Sequence, residues 1–185
     1  MKKLLAPALI AALMAAAGCG TNSRAAQERN PAPCPNTVAL ADAARLVEFD
    51  GEQILEDVAY SAEITGVEVA CRYFEDRPIE AEVDLAMAFG KGPKGANGKK
   101  VFKYFVAVTR TNLEVIAKED FYVEVDFDEG RRVVVKNEEI DKITIPRVNE
   151  ETSGLNFEII VGLALTPEQA IFNRSGKSLK FPELQ

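Results

Sequence analysis

The sequence predicts an all-β domain, and three features of the chain lead to that prediction. After about Val38 the apolar residues alternate with polar ones, which is the pattern of strands that bury one face. Clusters of glycine, proline and aspartate divide these stretches at the short intervals that hairpin turns occupy. One clear helix-start signal stands near the C-terminus.

About eight strands follow from the alternation and the turns. Residues 79–89 place Ile79 and Phe89 on one face and Glu80 on the other. Residues 101–109 are apolar on both faces, as a central strand is. The segments with strand patterns are residues 58–64, 67–71, 79–89, 101–109, 121–127, 131–136, 140–146 and 155–165. The predicted turns between them are at Thr65-Gly66, Arg77-Pro78, residues 90–98 and residues 128–130.

Two fold types accommodate this number of strands with short connections. We favour an antiparallel β-sandwich of immunoglobulin-like or fibronectin-like architecture, in which two sheets pack face to face. A closed lipocalin-like β-barrel is the alternative. Thr166, Pro167 and Gln169 predict a C-terminal helix of about two turns, since they supply the N-cap, the first helical residue and the partner of a capping box.

The first residues have the composition of an export signal. Lys2 and Lys3 precede an apolar run over residues 4–17, the order found in secretory signal peptides. The run is about 21 Å long as a helix, whereas a bilayer core needs about 20 residues, so it is short for a permanent span. Residues 1–18 are therefore predicted to be a signal peptide.

The segment Ala16-Ala17-Gly18-Cys19 resembles the lipobox of bacterial lipoproteins. The resemblance implies that Cys19 becomes the new N-terminus, with a diacylglycerol on its sulfur and an acyl group on its amine. Two or more acyl chains anchor a protein firmly to a membrane. The common motif carries leucine where Ala16 stands, so the alternative is an ordinary secretory signal cleaved after Ala17 or Gly18.

The resemblance also bears on location and partners. An aspartate after the lipidated cysteine favours the inner membrane in Gram-negative lipoproteins, so Gly20 implies the outer membrane, facing the periplasm. A Gram-positive cell surface is the alternative. Loss of Lys2 and Lys3 changes the formal charge from −7 to about −9. Nucleic acid is therefore not expected as a partner, because phosphate binding needs a basic surface.

Three cysteines are an odd number for an exported protein. Assigning Cys19 to lipid leaves Cys34 and Cys71, which are predicted to form a disulfide in the oxidising periplasm. A reactive or metal-binding pair is the alternative, but the two lack CxxC spacing and the chain has no histidine. We expect no cofactor and no metal site.

Composition also divides the chain. Residues 19–35 contain the lipidated cysteine and a polar, proline-rich segment that cannot bury a core, so they are predicted to form a flexible tether. Residues 36–185 are predicted to form a single β-rich domain.

No catalytic motif is present in the sequence, and we expect a protein that is not an enzyme. The absence of histidine removes the usual general base. Two rows of carboxylates are predicted to lie on solvent-facing sides of strands: Glu80, Glu82 and Asp84, and Glu124, Asp126 and Asp128. Residues 126–130 hint at a calcium loop but lack its glycine and final glutamate at the required places, so a hairpin turn is predicted there.

Residues 85–113 contain no acidic side chain, although the protein is acidic. Within them a glycine-rich loop between two strands carries four lysines: Lys91, Lys94, Lys99 and Lys100. One interpretation is a surface that contacts anionic lipid headgroups or an acidic partner. The interpretation we prefer is a solvated hairpin loop whose lysines discourage edge pairing.

Residues 163–174, together with the lipobox and the cysteine pair, resemble small uncharacterised proteobacterial lipoproteins with a β-sandwich domain. The resemblance supplies no catalytic residue. We therefore predict a membrane-anchored, non-enzymatic module of the cell envelope that acts structurally or through an envelope protein partner. A lipocalin-like carrier of an apolar ligand is the alternative.

Overall fold

The computed structural model describes residues 33–180, apart from the side chains of residues 179 and 180. The predicted signal peptide, Cys19 and the tether up to residue 32 lie outside the described residues. Predictions about lipidation therefore stay predictions, whereas those about the domain can be compared with the structure.

Eight strands are present in the described part of the chain. In chain order they are β1 (Asn36–Ala39), β2 (Arg45–Phe49), β3 (Val58–Arg72), β4 (Ile79–Lys91), β5 (Gly98–Arg110), β6 (Val115–Phe127), β7 (Val133–Ile145) and β8 (Phe157–Leu163). Short 3₁₀ helices occupy Ala41–Ala43, Leu55–Asp57, Gly154–Asn156 and Lys177–Lys180.

The strands form two four-stranded sheets. Sheet A has the order β1-β8-β5-β6, and sheet B has the order β2-β3-β4-β7. Neighbouring strands are antiparallel, except that β1 runs parallel to β8. The sheets stay separate and do not close into a barrel, so the predicted all-β sandwich is confirmed over its lipocalin-like alternative. The meander β2-β3-β4 within one sheet differs from the ABED and CFG order of immunoglobulin constant domains.

The core lies between the sheets and is built by the alternation read from the sequence. Nine large side chains that face it are less than 2 % exposed: Ile79, Leu85, Met87, Phe89, Phe127, Ile145, Phe157, Ile159 and Leu163. Each such residue contributes roughly 1.5–3 kcal/mol when it is fully buried. The predicted central strand is β5, which lies between β8 and β6.

The predicted turn at Thr65-Gly66 is wrong, because β3 continues through it. The pairing register with β4 shifts between Ile64 and Gly66, as it does at a β-bulge. The Thr65 hydroxyl donates a hydrogen bond of 3.1 Å to the carbonyl of Ala86. The extra residue explains why the core-facing positions are even-numbered before the bulge and odd-numbered from Val67 onward.

The predicted strands at residues 131–136 and 140–146 are one strand, β7. Its register with β4 is also irregular, since Val83 pairs with Ile140 and Ala81 pairs with Ile143. The apolar pattern changes phase at this irregularity and continues on the same face of the sheet. In β3 and in β7, the place where the apolar residues change from even to odd positions is therefore an irregularity within one strand and not a turn between two strands.

Residues 128–132 connect β6 in sheet A to β7 in sheet B, so the predicted hairpin turn there is wrong. Strand β7 instead pairs with β4, far from it in sequence. Strands β1 and β2 are additions to the predicted set, since four and five residues are too short for a reliable alternation.

The predicted helix is confirmed as α1 (Pro167–Arg174). Thr166 and Gln169 form the complete capping box: the Thr166 hydroxyl accepts from the Gln169 amide, and the Gln169 side chain accepts from the Thr166 amide. The helix packs against β2, where Phe172 lies with Val47 and Val58 in a small second core.

The predicted disulfide is confirmed between Cys34 and Cys71, whose Cα atoms are 5.6 Å apart. Cys34 precedes β1 of sheet A and Cys71 lies in β3 of sheet B, so the bond joins the two sheets covalently.

We predict that the double variant Cys34→Ala, Cys71→Ala lowers the free energy of unfolding by about 4 kcal/mol, because the unfolded chain regains the freedom of a long closed loop. Urea denaturation followed by circular dichroism measures the change. Reduction of the unsubstituted protein is the matched control and should give a similar loss. Equal midpoints for oxidised and reduced protein would contradict a stabilising role for this bond.

Candidate functional site

The end of the sandwich where the described chain begins holds the disulfide and several hydrogen bonds between side chains and backbone. The strand registers place Asn36 beside Glu158, and Phe157 beside Arg110, at this end of sheet A. Three connections meet there: residues 73–78, residues 111–114 and residues 146–156. Together with the Cys34–Cys71 bond they form what we call the disulfide end.

Tyr73 links the beginning of the described chain to the last of these connections. Its hydroxyl donates to the Pro33 carbonyl at 2.6 Å and accepts from the Gly154 amide at 2.9 Å. Burial raises the pKa of the Tyr73 phenol, and the Gly154 hydrogen bond and the Arg147 charge oppose that rise only in part. The phenol therefore stays protonated at neutral pH and can act as both donor and acceptor.

Gly154 is required by the closeness of this contact. A Cβ atom on it would lie 2.4 Å from the Pro33 carbonyl oxygen and 2.6 Å from the Tyr73 hydroxyl. Only glycine lets the backbone approach so near. The connection 146–156 therefore lies directly against the segment that leads to the N-terminus.

Arg147 holds the connections together with its fork of donors. It donates from Nε to the Thr152 carbonyl at 3.0 Å and from Nη1 to the Glu75 carbonyl at 2.6 Å. Its Nη2 donates to the carbonyl of Glu150. The guanidinium lies 5.2 Å from the Tyr73 ring centroid, within the range of a cation–π contact. Sequence analysis missed Tyr73 and Arg147, because neither belongs to a motif.

The lysine loop, which we define as residues 90–100, lies at the opposite end of the sandwich. It connects the last residues of β4 to the first residues of β5, whereas the disulfide end holds the first residues of β4 and the last of β5. Strands of 13 residues separate the two ends, which corresponds to roughly 40 Å of extended chain.

Each of the four lysines contacts a polar partner in the structure. The Lys99 ammonium lies 2.7 Å from Glu124, and the Lys94 ammonium lies 3.6 Å from Asp57. Lys91 is buried and donates to the Asn97 side-chain carbonyl. Hydrogen bonding to Glu124 raises the pKa of Lys99. The positive charge that the sequence concentrates here is thus partly balanced by acids from other segments of the chain.

Lys100 also lies close to a carboxylate, and in addition to an aromatic ring. Its ammonium lies 2.7 Å from Glu48 and 4.8 Å from the ring centroid of Tyr60. Glu48 is in β2, far from Lys100 in sequence, and the sequence therefore gave no sign of this pair.

The lysine loop is also bound closely to the start of β3. Backbone amides of Gly92 and Lys94 donate to the carbonyls of Ala59 and Val58. The Tyr60 hydroxyl accepts from the Ala96 amide at 3.0 Å. A Cβ atom on Gly92 would lie 2.2 Å from the Val58 carbonyl oxygen, so this glycine allows the close approach. These contacts define a packed connection that crosses from sheet B to sheet A, so the preferred interpretation of a solvated hairpin loop is wrong. The alternative, contact of its lysines with an anionic surface, stays an untested interpretation.

The carboxylate rows lie where the sequence placed them. Glu124, Asp126 and Asp128 are exposed, and Glu80, Glu82 and Asp84 are exposed or half-buried on the outer side of sheet B. Repulsion from Asp141, and then from Glu82 and Asp84, raises the pKa of the exposed Glu139. Among residues 33–180 no three acidic or cysteine side chains converge as ligands for a metal ion.

A depression lined by both apolar and polar residues opens between the free edges of β6 and β7, and we call it the edge groove. Its volume is about 190 Å³. The lining includes Val106, Val108, Phe121, Ile140 and Ile143, with Lys118 and Lys142 also among the lining residues. The groove exists because each of these strands has a hydrogen-bonded neighbour on one side only.

No protein-family model, curated protein sequence or solved structure matches this chain. Within residues 33–180, no helix has both the length and the apolar character that crossing a membrane requires.

We predict that Gly92→Ala lowers the free energy of unfolding by about 1–3 kcal/mol, because the new Cβ would overlap the Val58 carbonyl and force the lysine loop away from β3. Gly66→Ala is the matched control, since its Cβ would meet the nearest atom at an ordinary 3.5 Å. Urea midpoints compare the two variants. A Gly92 variant as stable as the Gly66 variant would show that the close approach is dispensable.

We predict that Tyr73→Phe lowers the free energy of unfolding by about 1–3 kcal/mol, because the buried Gly154 amide and the Pro33 carbonyl lose their partner. Tyr122→Phe, at an exposed position, is the control and should have little effect. Hydrogen exchange at the Gly154 amide should become faster in the Tyr73 variant alone. Unchanged exchange there would contradict the assigned hydrogen bond.

Proposed function

We propose that this protein is a bacterial lipoprotein, acylated at Cys19 and anchored to the outer membrane so that its β-sandwich faces the periplasm. The domain serves as a non-enzymatic structural or protein-interaction module of the envelope. In a Gram-positive host the same anchor would place it at the cell surface.

The disulfide is the observation that carries this proposal. The chain has three cysteines, and the bond between Cys34 and Cys71 uses two of them. Cys19 is the remaining cysteine of the sequence, and it stands at the end of the apolar run and directly after small residues. Disulfides form in oxidising compartments, which agrees with export across the inner membrane.

The filled core supports a module over a carrier of an apolar ligand. Phe89, Phe127 and Phe157 are each at most 1 % exposed and occupy the space between the sheets, where a lipocalin-like protein keeps its cavity. The edge groove, at about 190 Å³, is smaller than the roughly 300–1,000 Å³ of typical ligand sites. A role through contacts with other envelope components fits this architecture better.

Mass spectrometry of the mature protein from native envelopes tests the anchor. We expect the N-terminal peptide to begin at Cys19 with a diacylglycerol and an N-linked acyl group, and the protein to partition into detergent. Cys19→Ala should abolish both properties and leave the disulfide intact. Gly20→Asp should move the acylated protein from the outer to the inner membrane fraction of a Gram-negative host.

A free Cys19 thiol on a protein released with the soluble periplasm would contradict the proposal and favour the ordinary secretory signal.

The module role is tested by affinity capture of the acylated protein, with the edge-groove variant Ile143→Asp as a second bait. Specific envelope proteins should be enriched with the acylated protein. Recovery of a stoichiometric apolar small molecule instead, lost in the Ile143 variant, would favour a carrier.

A further inference from the structure

Three large aliphatic side chains protrude at the disulfide end. Leu113 is 72 % exposed, Val148 is 84 % exposed and Leu155 is 61 % exposed. They come from different connections: Leu113 from the β5–β6 hairpin, and the other two from opposite ends of residues 146–156. We call these three residues the apolar tip. Single exposed aliphatic residues are ordinary on protein surfaces, so their common location is what needs an explanation.

The connections that bear the apolar tip are joined to one another. The Thr111 amide in the hairpin donates to the Asn156 carbonyl at 3.2 Å, next to Leu155. Arg147, next to Val148, donates to the Thr152 carbonyl. These bonds keep the three side chains on one end of a packed structure.

Leu113 is held outward by its own turn. Its φ of 69° lies in the left-handed region that a leucine rarely adopts. The Leu113 amide donates to the Arg110 carbonyl at 2.9 Å, and the Asn112 side chain accepts from the Glu114 amide at 3.1 Å. The hairpin therefore holds an exposed leucine at its tip in an unfavourable conformation.

The chain leaves the described domain beside the apolar tip. Gly154, the neighbour of Leu155, lies directly against Pro33, and Tyr73 bonds to both. Fourteen positions, residues 20–33, separate Cys19 from Cys34. A chain of this length spans at most about 50 Å, even when it is fully extended.

The charges at this end permit contact with a neutral lipid surface. The three connections and their flanking residues carry four arginines and five carboxylates: Arg72, Arg77, Arg110 and Arg147, and Glu75, Asp76, Glu114, Glu150 and Glu151. The strand register adds Glu158 to this end, so six carboxylates face four arginines and the end is only weakly acidic. Contact would depend on the aliphatic side chains and not on anionic lipid.

We propose that the apolar tip rests on the bilayer that holds the lipid anchor, with Leu113, Val148 and Leu155 inserted among the lipid headgroups. The inference rests on the proposed function, because it requires the anchor at Cys19. The short tether keeps the disulfide end close to the membrane, so a contact too weak to bind a free domain is sufficient. The lysine loop, at the opposite end, then points away from the bilayer toward other envelope components.

Tryptophan fluorescence tests this orientation directly, since the chain contains no tryptophan. The variants Leu113→Trp, Val148→Trp and Leu155→Trp each place one reporter in the apolar tip. Ala96→Trp places a matched reporter at an exposed position of the lysine loop. Each acylated full-length protein is reconstituted into phosphatidylcholine vesicles whose acyl chains are brominated near the headgroup, where bromine quenches nearby indoles.

We expect bromine to quench the three tip reporters several-fold more strongly than the Ala96→Trp reporter, with a blue shift of their emission. Equal, weak quenching of all four reporters on vesicle-bound protein would overturn the inference, because the domain would then stand clear of the bilayer. Stronger quenching of Ala96→Trp would also overturn it and would favour a lysine loop that faces lipid. Thermal unfolding confirms that each variant is folded.

Failure of the anchor can be separated from failure of the contact. If mass spectrometry finds a free thiol at Cys19, the proposed function fails. Coupling that thiol to a maleimide phospholipid then restores the tether on the same vesicles. Selective quenching of the tip reporters in the coupled protein would still support the surface, and its absence would overturn it.

Discussion

Each strand of this domain buries one side against the opposite sheet, and that requires the apolar alternation to keep its phase along strands of up to 15 residues. The two long strands β3 and β7 change phase in their middle, and each has an irregular register at that place. One extra residue in a strand shifts the alternation by one position, so the apolar residues after it again face the core. The continuous apolar face that β3 and β7 present to the core depends on these irregularities.

The two ends of the sandwich are closed by different chemistry. At the disulfide end a covalent bond joins the sheets, and Tyr73 and Arg147 satisfy the carbonyls and amides of connections that would otherwise lose their partners. At the other end the lysine loop is held against β3 by backbone hydrogen bonds that glycine makes possible. Three of its four ammonium groups contact carboxylates on other segments of the chain, so the positive charge of this basic stretch is partly balanced.

The difference between the two ends would orient the proposed lipoprotein relative to its membrane. The described chain begins at the disulfide end, beside exposed aliphatic side chains and charged groups with only a small excess of acid. The free edges of β6 and β7, with the edge groove between them, lie along the side of the domain. An anchor at Cys19 would therefore do more than retain the domain, because it would also select the face presented to the membrane.

The sequence by itself determined the all-β class, the long strands β4 and β5, the capped helix and the cysteine pair. These depend on local alternation, on a capping motif a few residues long, and on counting cysteines. It could not determine that Thr65-Gly66 is a bulge, that residues 128–132 cross between sheets, or that β1 and β2 exist. Pairing between strands distant in sequence decides those features. For the same reason only the tertiary structure placed Glu48 beside Lys100, and Tyr73 between Pro33 and Gly154, since a side chain's partner depends on which strands the core brings together.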